Sequence, residues 1–315
     1  MMRTAAIDCG TNSIRLLIAD SEDGVLTDVV RLMRVVRLGE GVDATGRLSE
    51  AALARTFAAA EEYAALLQEH GAPPVRFVAT SASRDAENRQ EFVDGIRERL
   101  GVEPEVITGD EEARLSFDGA VSVLATAADE TVLVIDVGGG STEFVAGTEA
   151  GLVASLSTNM GCVRYTERFL TDDPPTEAQI TAMTAEVGRL IDAAAAEVPL
   201  DRVTRIVGVA GSVTTVTAHA LGLPAYQPER IHGAELPVPA ISAAASDLLH
   251  MPRAARAALP YMHPGRVDVI GAGALIWATV VERVASAAGG RVTTAVSSEH
   301  DILDGIALSV VDRVG

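Results

Sequence analysis

Two short segments carry an acid, glycine and hydroxyl residues in the same order. The first is Asp8-Cys9-Gly10-Thr11-Asn12-Ser13, and the second runs Asp136-Val137-Gly138-Gly139-Gly140-Ser141-Thr142-Glu143. Glycine in an ordered loop loses more conformational entropy on folding than other residues do, so three in a row signal a need for bare backbone. Backbone N–H groups in a tight turn can converge on an anion, and a phosphate approaches them closely where no Cβ intervenes. Gly10, Gly138, Gly139 and Gly140 would supply that backbone, with Thr11, Asn12, Ser13, Ser141 and Thr142 as further donors. The acids Asp8, Asp136 and Glu143 repel phosphate by themselves, but a divalent cation on their oxygens would bridge to it. One such turn alone reads as an ordinary hairpin, whereas two in matching places point to phosphate chemistry. No Gly-Lys-Ser or Gly-Lys-Thr occurs in the order a P-loop needs, and the dinucleotide fingerprint is absent.

The elements that hold these segments read as short β-strands. "RTAAID" and "SIRLLIAD" bracket the first turn, and "VLTDVVRLMRVVRL" forms a third, longer strand. Apolar residues recur at helical spacing from Ser49, a suitable N-cap, to Glu69. A strand at "VRFVAT", a helix near Asp85 to Leu100, the run "EPEVIT" and a helix opening at Asp110 follow. The order then restarts with "TVLVIDVGGGSTEFVAG" and "LVASLS". After these come a helix over Thr176 to Ala196, the strand and turn "RIVGVAGS", the helical "VTTVTAHAL", a strand near "RVTTAVS" and a last helix from about Asp301. This alternation predicts an α/β fold, and its repetition predicts two similar domains. The boundary is expected near Ala125 to Glu130. Residues 1–125, completed by the final helix over 300–315, form one domain, and 126–299 form the other.

Bulk properties narrow the partners. The chain has 315 residues, 48% of them hydrophobic, and a formal net charge of -19. That acidity argues against nucleic acid and anionic membranes as partners, so any anion site must be built locally. The two cysteines, Cys9 and Cys162, are far apart and lack metal spacing. They indicate a reducing, cytoplasmic setting, with Cys9 a small core residue. No signal-peptide pattern precedes the first acid. The most apolar stretch, Val269 to Val281, is short for a bilayer span and reads as a buried helix.

Seven segments together resemble the exopolyphosphatase and guanosine-pentaphosphate phosphohydrolase family, of the actin-like ATPase fold. They are "IDCGTNSIRLLIAD", "ATSASRDAENR", "ITGDEEARLSFDGAV", "VIDVGGGSTEF", "STNMGCVRYTERF", "GVAGS" and "RVDVIGAGALI". The first and fourth also suit sugar kinases and chaperones; "GDEEARL" with "MGCVR" is much more specific. The length corresponds to the short form of the family, without the added C-terminal helical region of longer members. The resemblance implies two actin-like, ribonuclease H-like domains with an interdomain cleft, and hydrolysis of a terminal phosphoanhydride. The implied substrate is inorganic polyphosphate, with short chains favoured because an acidic chain offers no long cationic track. Guanosine pentaphosphate is the alternative substrate, guanosine tetraphosphate joins it as an implied partner, and a non-catalytic nucleotide or phosphate sensor is a third reading. The implied metal is Mg²⁺, with Mn²⁺ as substitute, and the implied assembly a homodimer.

The resemblance also assigns residues. Glu112, the second Glu of "DEEAR", matches the family's catalytic carboxylate. Without the resemblance, Asp110, Glu111 and Glu112 are an acidic first helical turn that suits the helix dipole. Asp136 and Glu143 match residues used around magnesium, and Asp8 is the symmetrical acid of the first loop. Arg84 matches an arginine that faces phosphate, with Arg114 and Arg164 as weaker candidates. Gly211 and Ser212 open a helix, a natural anion site. His232 reads as a loop histidine with a structural hydrogen bond. The family's Leu-Arg-acid-Gly pattern near the end is here Ile302-Leu303-Asp304-Gly305, so that arginine's role does not carry over.

Overall fold

The computed structural model describes residues 2–122, 127 and 129–314, without the side chains of 312 and 314. The chain forms two compact units, Met1–Val123 with Asp301–Gly315, and Leu124–His300. The boundary expected at 125–126 lies outside the described residues.

The first unit is built on five strands, β1 (Met2–Cys9), β2 (Ser13–Glu22), β3 (Val25–Val35), β4 (Val75–Ala79) and β5 (Glu105–Val106), in the order β3-β2-β1-β4-β5. β1, β2 and β3 are antiparallel neighbours, whereas β4 and β5 run parallel to β1. Period-two alternation explains why both faces are covered. Ile7, Ile14 and Leu16 face a core shared with Tyr63, Phe77 and Phe92. Ala6, Leu17 and Ala19 face Leu115, Leu303 and Ile306. The helices are α1 (Val42–Thr45), α2 (Glu50–Glu69), α3 (Ser81–Asp85), α4 (Arg89–Leu100) and α5 (Gly109–Val121), with the chain's last helix, Ile302–Val314, returning to lie beside α5. Ser49 caps α2 as expected, accepting from the Ala52 N–H. Two glycines let the last helix touch α5: a Cβ at Gly119 would lie 1.8 Å from the Asp301 carbonyl oxygen, and one at Gly305 would lie 2.0 Å from that of Leu115. Leu303 is core here, 1% exposed.

The second unit repeats the plan with β6 (Val132–Val137), β7 (Thr142–Thr148), β8 (Gly151–Thr158), β9 (Arg205–Val209), β10 (Glu235–Pro237) and β11 (Thr294–Ser297), ordered β10-β11-β9-β6-β7-β8. β6, β7 and β8 are antiparallel, and β9 and β11 continue in parallel. Omitting the short β10, each sheet shows the three-antiparallel, two-parallel order of a ribonuclease H-like domain, the expected actin-like class. The helices are α6 (Cys162–Phe169), α7 (Glu177–Glu197), α8 (Ala210–Ala220), α9 (Pro228–Ile231), α10 (Val238–His250), α11 (Arg253–Ala257) and α12 (Ile270–Ala287), after which the last helix is α13.

Three local expectations change. The third strand ends at Val35, before the expected Leu38, because Val36 and Arg37 turn to donate to the Asn12 carbonyl. The expected helix from Asp85 is α3 and α4 separated by a break. There the Asn88 side chain exchanges two hydrogen bonds with the Leu48 backbone instead of continuing a helix. α12 is longer than the 13-residue apolar run. At 18 residues it is long and apolar enough to cross a membrane, yet Ile276, Trp277 and Val280 sit in the second unit's core.

Candidate active site

Both glycine loops close identically at the backbone. The Gly10 N–H donates to the Ser13 carbonyl at 2.9 Å, and the Gly138 N–H to that of Ser141 at 3.0 Å. In each, neighbouring chain takes the loop's carbonyls. Gly39 donates to Thr11, while Val36 and Arg37 donate to Asn12, at 2.8–3.0 Å. In the second loop the Cys162 N–H donates to Gly138, those of Val163 and Arg164 to Gly139, and Arg164 Nε to Gly140 at 2.9 Å. A trans peptide plane points its N–H away from its C=O. Drawing the carbonyls of Gly138, Gly139 and Gly140 toward α6 therefore turns the N–H groups of Gly139, Gly140 and Ser141 the other way, as a phosphate cradle requires. A Cβ at Gly161 would meet the Gly139 carbonyl oxygen at 2.3 Å, which accounts for the glycine in "MGCVR".

Several expected donors have other work. Thr11 Oγ1 is buried against Ser81 Oγ at 2.9 Å. The Thr142 hydroxyl is fully buried and donates to the Met160 carbonyl. Thr142 thus spends its proton within the fold, and Thr11 ties its loop to Ser81. Arg164, a weaker phosphate candidate, fastens Gly140. Asn12 Oδ1, by contrast, is a buried acceptor with no hydrogen-bond partner among the described residues, an atom that a water donating to it, and not a phosphate oxygen, would satisfy.

The acids differ between units. Asp8 lies opposite Arg15 in the β1–β2 ladder and accepts from it at 2.7 and 2.9 Å, while Arg15 also reaches Asp301 at 2.5 Å. Burial pushes the Asp8 carboxyl up, and Arg15 pulls it back without cancelling the rise. Asp8, expected as a metal ligand, thus has one oxygen, Oδ2, committed to the Arg15 guanidinium. Asp136 instead lies opposite Glu143 in the β6–β7 ladder, both buried, and Glu143 accepts from Ser157 Oγ at 2.7 Å. Two hard oxygen donors side by side fit Mg²⁺, which is commonly held by one or two carboxylates plus waters and substrate phosphates. The described residues contain no closed set of three or more such ligands.

Glu112 sits in the first turn of α5, 7% exposed. Thr108 caps that helix by accepting from the Glu111 N–H. Arg84 Nη1 donates to Glu112 Oε2 at 3.1 Å and to the Ile107 carbonyl at 2.9 Å. Glu111 turns elsewhere, to the buried Arg76 at 2.5 Å. Asp110 and Arg114 are exposed, and residues two apart do not share a helix face, so Arg114 does not join Glu112. In the second unit, a Cβ on Gly211 would meet the Arg266 guanidinium at 2.4 Å, and Arg266 Nη1 donates to Thr215 at 3.2 Å. This cation beside the start of α8 was missed as a candidate, although it opens "RVDVIGAGALI". Ser212 is buried against Gly273 and the Cys162 thiol. His232 accepts from the Glu299 N–H through Nδ1, the structural bond expected of it.

Paired ribonuclease H-like units, each presenting a glycine loop with its carbonyls taken from behind, define a phosphate-handling protein of the actin-like class. The model of the Ppx/GppA phosphatase family matches residues 17–309, and the chain belongs to that family. It is 48% identical to exopolyphosphatase 2 of Mycobacterium tuberculosis, over 98% of this chain and 99% of that protein. Among solved structures, an exopolyphosphatase-like protein superposes with a TM-score of 0.95 at 45% identity, covering 99% of this chain and 98% of its own. An exopolyphosphatase from Cytophaga hutchinsonii gives a TM-score of 0.86 at 25% identity, covering 100% and 99%.

Proposed function

We propose that this chain is an exopolyphosphatase, hydrolysing the terminal phosphoanhydride of inorganic polyphosphate and releasing orthophosphate. The observation that carries the reading is the full-length match to a relative named exopolyphosphatase 2; Glu112, the carboxylate the resemblance assigns as base, is buried and held by Arg84, which supports it. A water oxygen attacks the terminal phosphorus as its proton passes to Glu112. The P–O bond to the bridging oxygen breaks, and its electron pair leaves on the shortened chain. Positioned general-base catalysis of this kind contributes about 10²–10⁴-fold. Each glycine loop offers N–H groups suited to non-bridging phosphate oxygens, with Arg84 bringing positive charge beside Glu112 in the first unit and Arg266 beside α8 in the second. Mg²⁺ or Mn²⁺ held by Asp136 and Glu143 would neutralise charge on phosphate oxygens. Two buried free cysteines suit a cytoplasmic setting, and a homodimer is the assembly to test by sedimentation.

Short chains should be favoured. The 25 basic residues are all arginine, and Arg3, Arg31, Arg34, Arg76, Arg97 and Arg313 are each engaged with carboxylates. With at least sixteen of the 25 arginines in ion pairs among the described residues, a minority is left to follow a long polyanion. The test is phosphate release from sized polyphosphates at equal concentrations of chain ends, beside guanosine pentaphosphate and ATP. Efficiency should level off after the first several phosphates. A steady rise with length would refute the short track, and pentaphosphate as best substrate would refute the assignment.

A further inference from the structure

We propose that Arg84, which the resemblance already turns toward phosphate, is also a positioning residue for Glu112, holding the base with one side of its guanidinium while the other side meets the terminal phosphate. This rests on the reading above, in which Glu112 is the base. Arg84 Nη1 is fixed twice, to Glu112 Oε2 at 3.1 Å and to the Ile107 carbonyl at 2.9 Å. Ile107 lies just ahead of α5, so the same nitrogen grips both the approach to the helix and the carboxylate on its first turn. A guanidinium is planar, with its donors in a rigid fork. Once Nη1 is placed, the directions of Nε and Nη2 follow. These two nitrogens have no acceptor among the described residues, and the side chain is 25% exposed, so this edge is open to a ligand. Parallel N–H groups along such an edge match two oxygens of one phosphate. A phosphate held there stands at a separation from Glu112 set by the width of one rigid group. The short α3 serves this arrangement. The break over Ala86 to Asn88, pinned through Asn88 to Leu48, leaves Arg84 in the last turn of a five-residue helix. Lysine cannot replace it, because an ammonium is a single point charge without two opposed edges.

The test is a double-mutant cycle with Arg84→Lys and Glu112→Gln, read as kcat and KM on tripolyphosphate and as orthophosphate affinity by calorimetry. Melting curves accompany each variant, and Arg84→Gln stands in if the lysine variant does not fold. If Arg84 acts through Glu112, Arg84→Lys lowers kcat about 10²-fold in the parent, but less than about 3-fold on top of Glu112→Gln. Orthophosphate affinity then falls by the same factor in both backgrounds. Equal kcat losses in both backgrounds, or a change confined to KM, would overturn the positioning role while leaving the exopolyphosphatase assignment intact. Parent-like turnover in Glu112→Gln alone would instead remove Glu112 as the base and, with it, the positioning role of Arg84.

Discussion

The β1–β2 and β6–β7 hairpins share a backbone plan but use their charges in opposite ways. In each, an acid sits seven residues before its cross-strand partner, and a glycine N–H closes the loop onto a serine carbonyl. The partner of Asp8 is Arg15, whereas the partner of Asp136 is Glu143. The first hairpin is therefore neutralised from within, and Arg15 extends the pairing to Asp301 at the start of α13. The second sets two carboxylates directly opposite each other, an arrangement that is destabilising by itself and that a cation would relieve. On the proposed reading the duplicated fold divides the labour: Glu112 of the first unit would act as the base, and Asp136 and Glu143 of the second would hold the metal, while the first loop is locked to the last helix.

If that division holds, acid–base work in the first unit falls to Glu112 and not to Asp8. Glu112→Gln should cut turnover about 10²–10⁴-fold while leaving the melting temperature and orthophosphate binding near parent values. The metal separates the hairpins next. Chelation should abolish hydrolysis, and Mg²⁺ or Mn²⁺ should restore it. A ligand at a hundred times its Kd stabilises the fold by about 2.7 kcal/mol. Mg²⁺ should accordingly raise the melting temperature of the parent and of Asp8→Asn, but not of Asp136→Asn. Loss of the shift in Asp8→Asn would place the metal on both hairpins and break the comparison.

The converse experiment addresses Arg15. Asp8→Asn leaves that guanidinium with Asp301 as its remaining charge partner and should cost about 1–3 kcal/mol in denaturant unfolding. An unchanged midpoint would show the first pair to be dispensable. The smallest effect concerns Glu111→Gln. Arg76 keeps Glu105 and Ser309 as partners, so the loss should be about 1 kcal/mol. Turnover should stay close to parent, since Glu111 faces Arg76 and not Arg84.

Local spacing determined much of this protein. Alternation in "RTAAID" and "SIRLLIAD" set which side chains face each core, because strand periodicity needs no knowledge of distant residues. The acid-glycine-hydroxyl order marked both loops, and the acidic turn of "DEEAR" marked the start of α5. Tertiary structure decided what each group touches. Thr11 and Thr142 belong to the loop motifs, yet their hydroxyls are spent on Ser81 and Met160. Arg84 reaches Glu112 across 28 residues, and Arg266 meets Gly211 from a segment far along the chain. Leu303 fills a core position because α13 closes on α5 through Gly119 and Gly305. Such partners are chosen by packing, which depends on how separate elements fill space together. A one-dimensional pattern records the face a residue occupies, but not the neighbour it meets there.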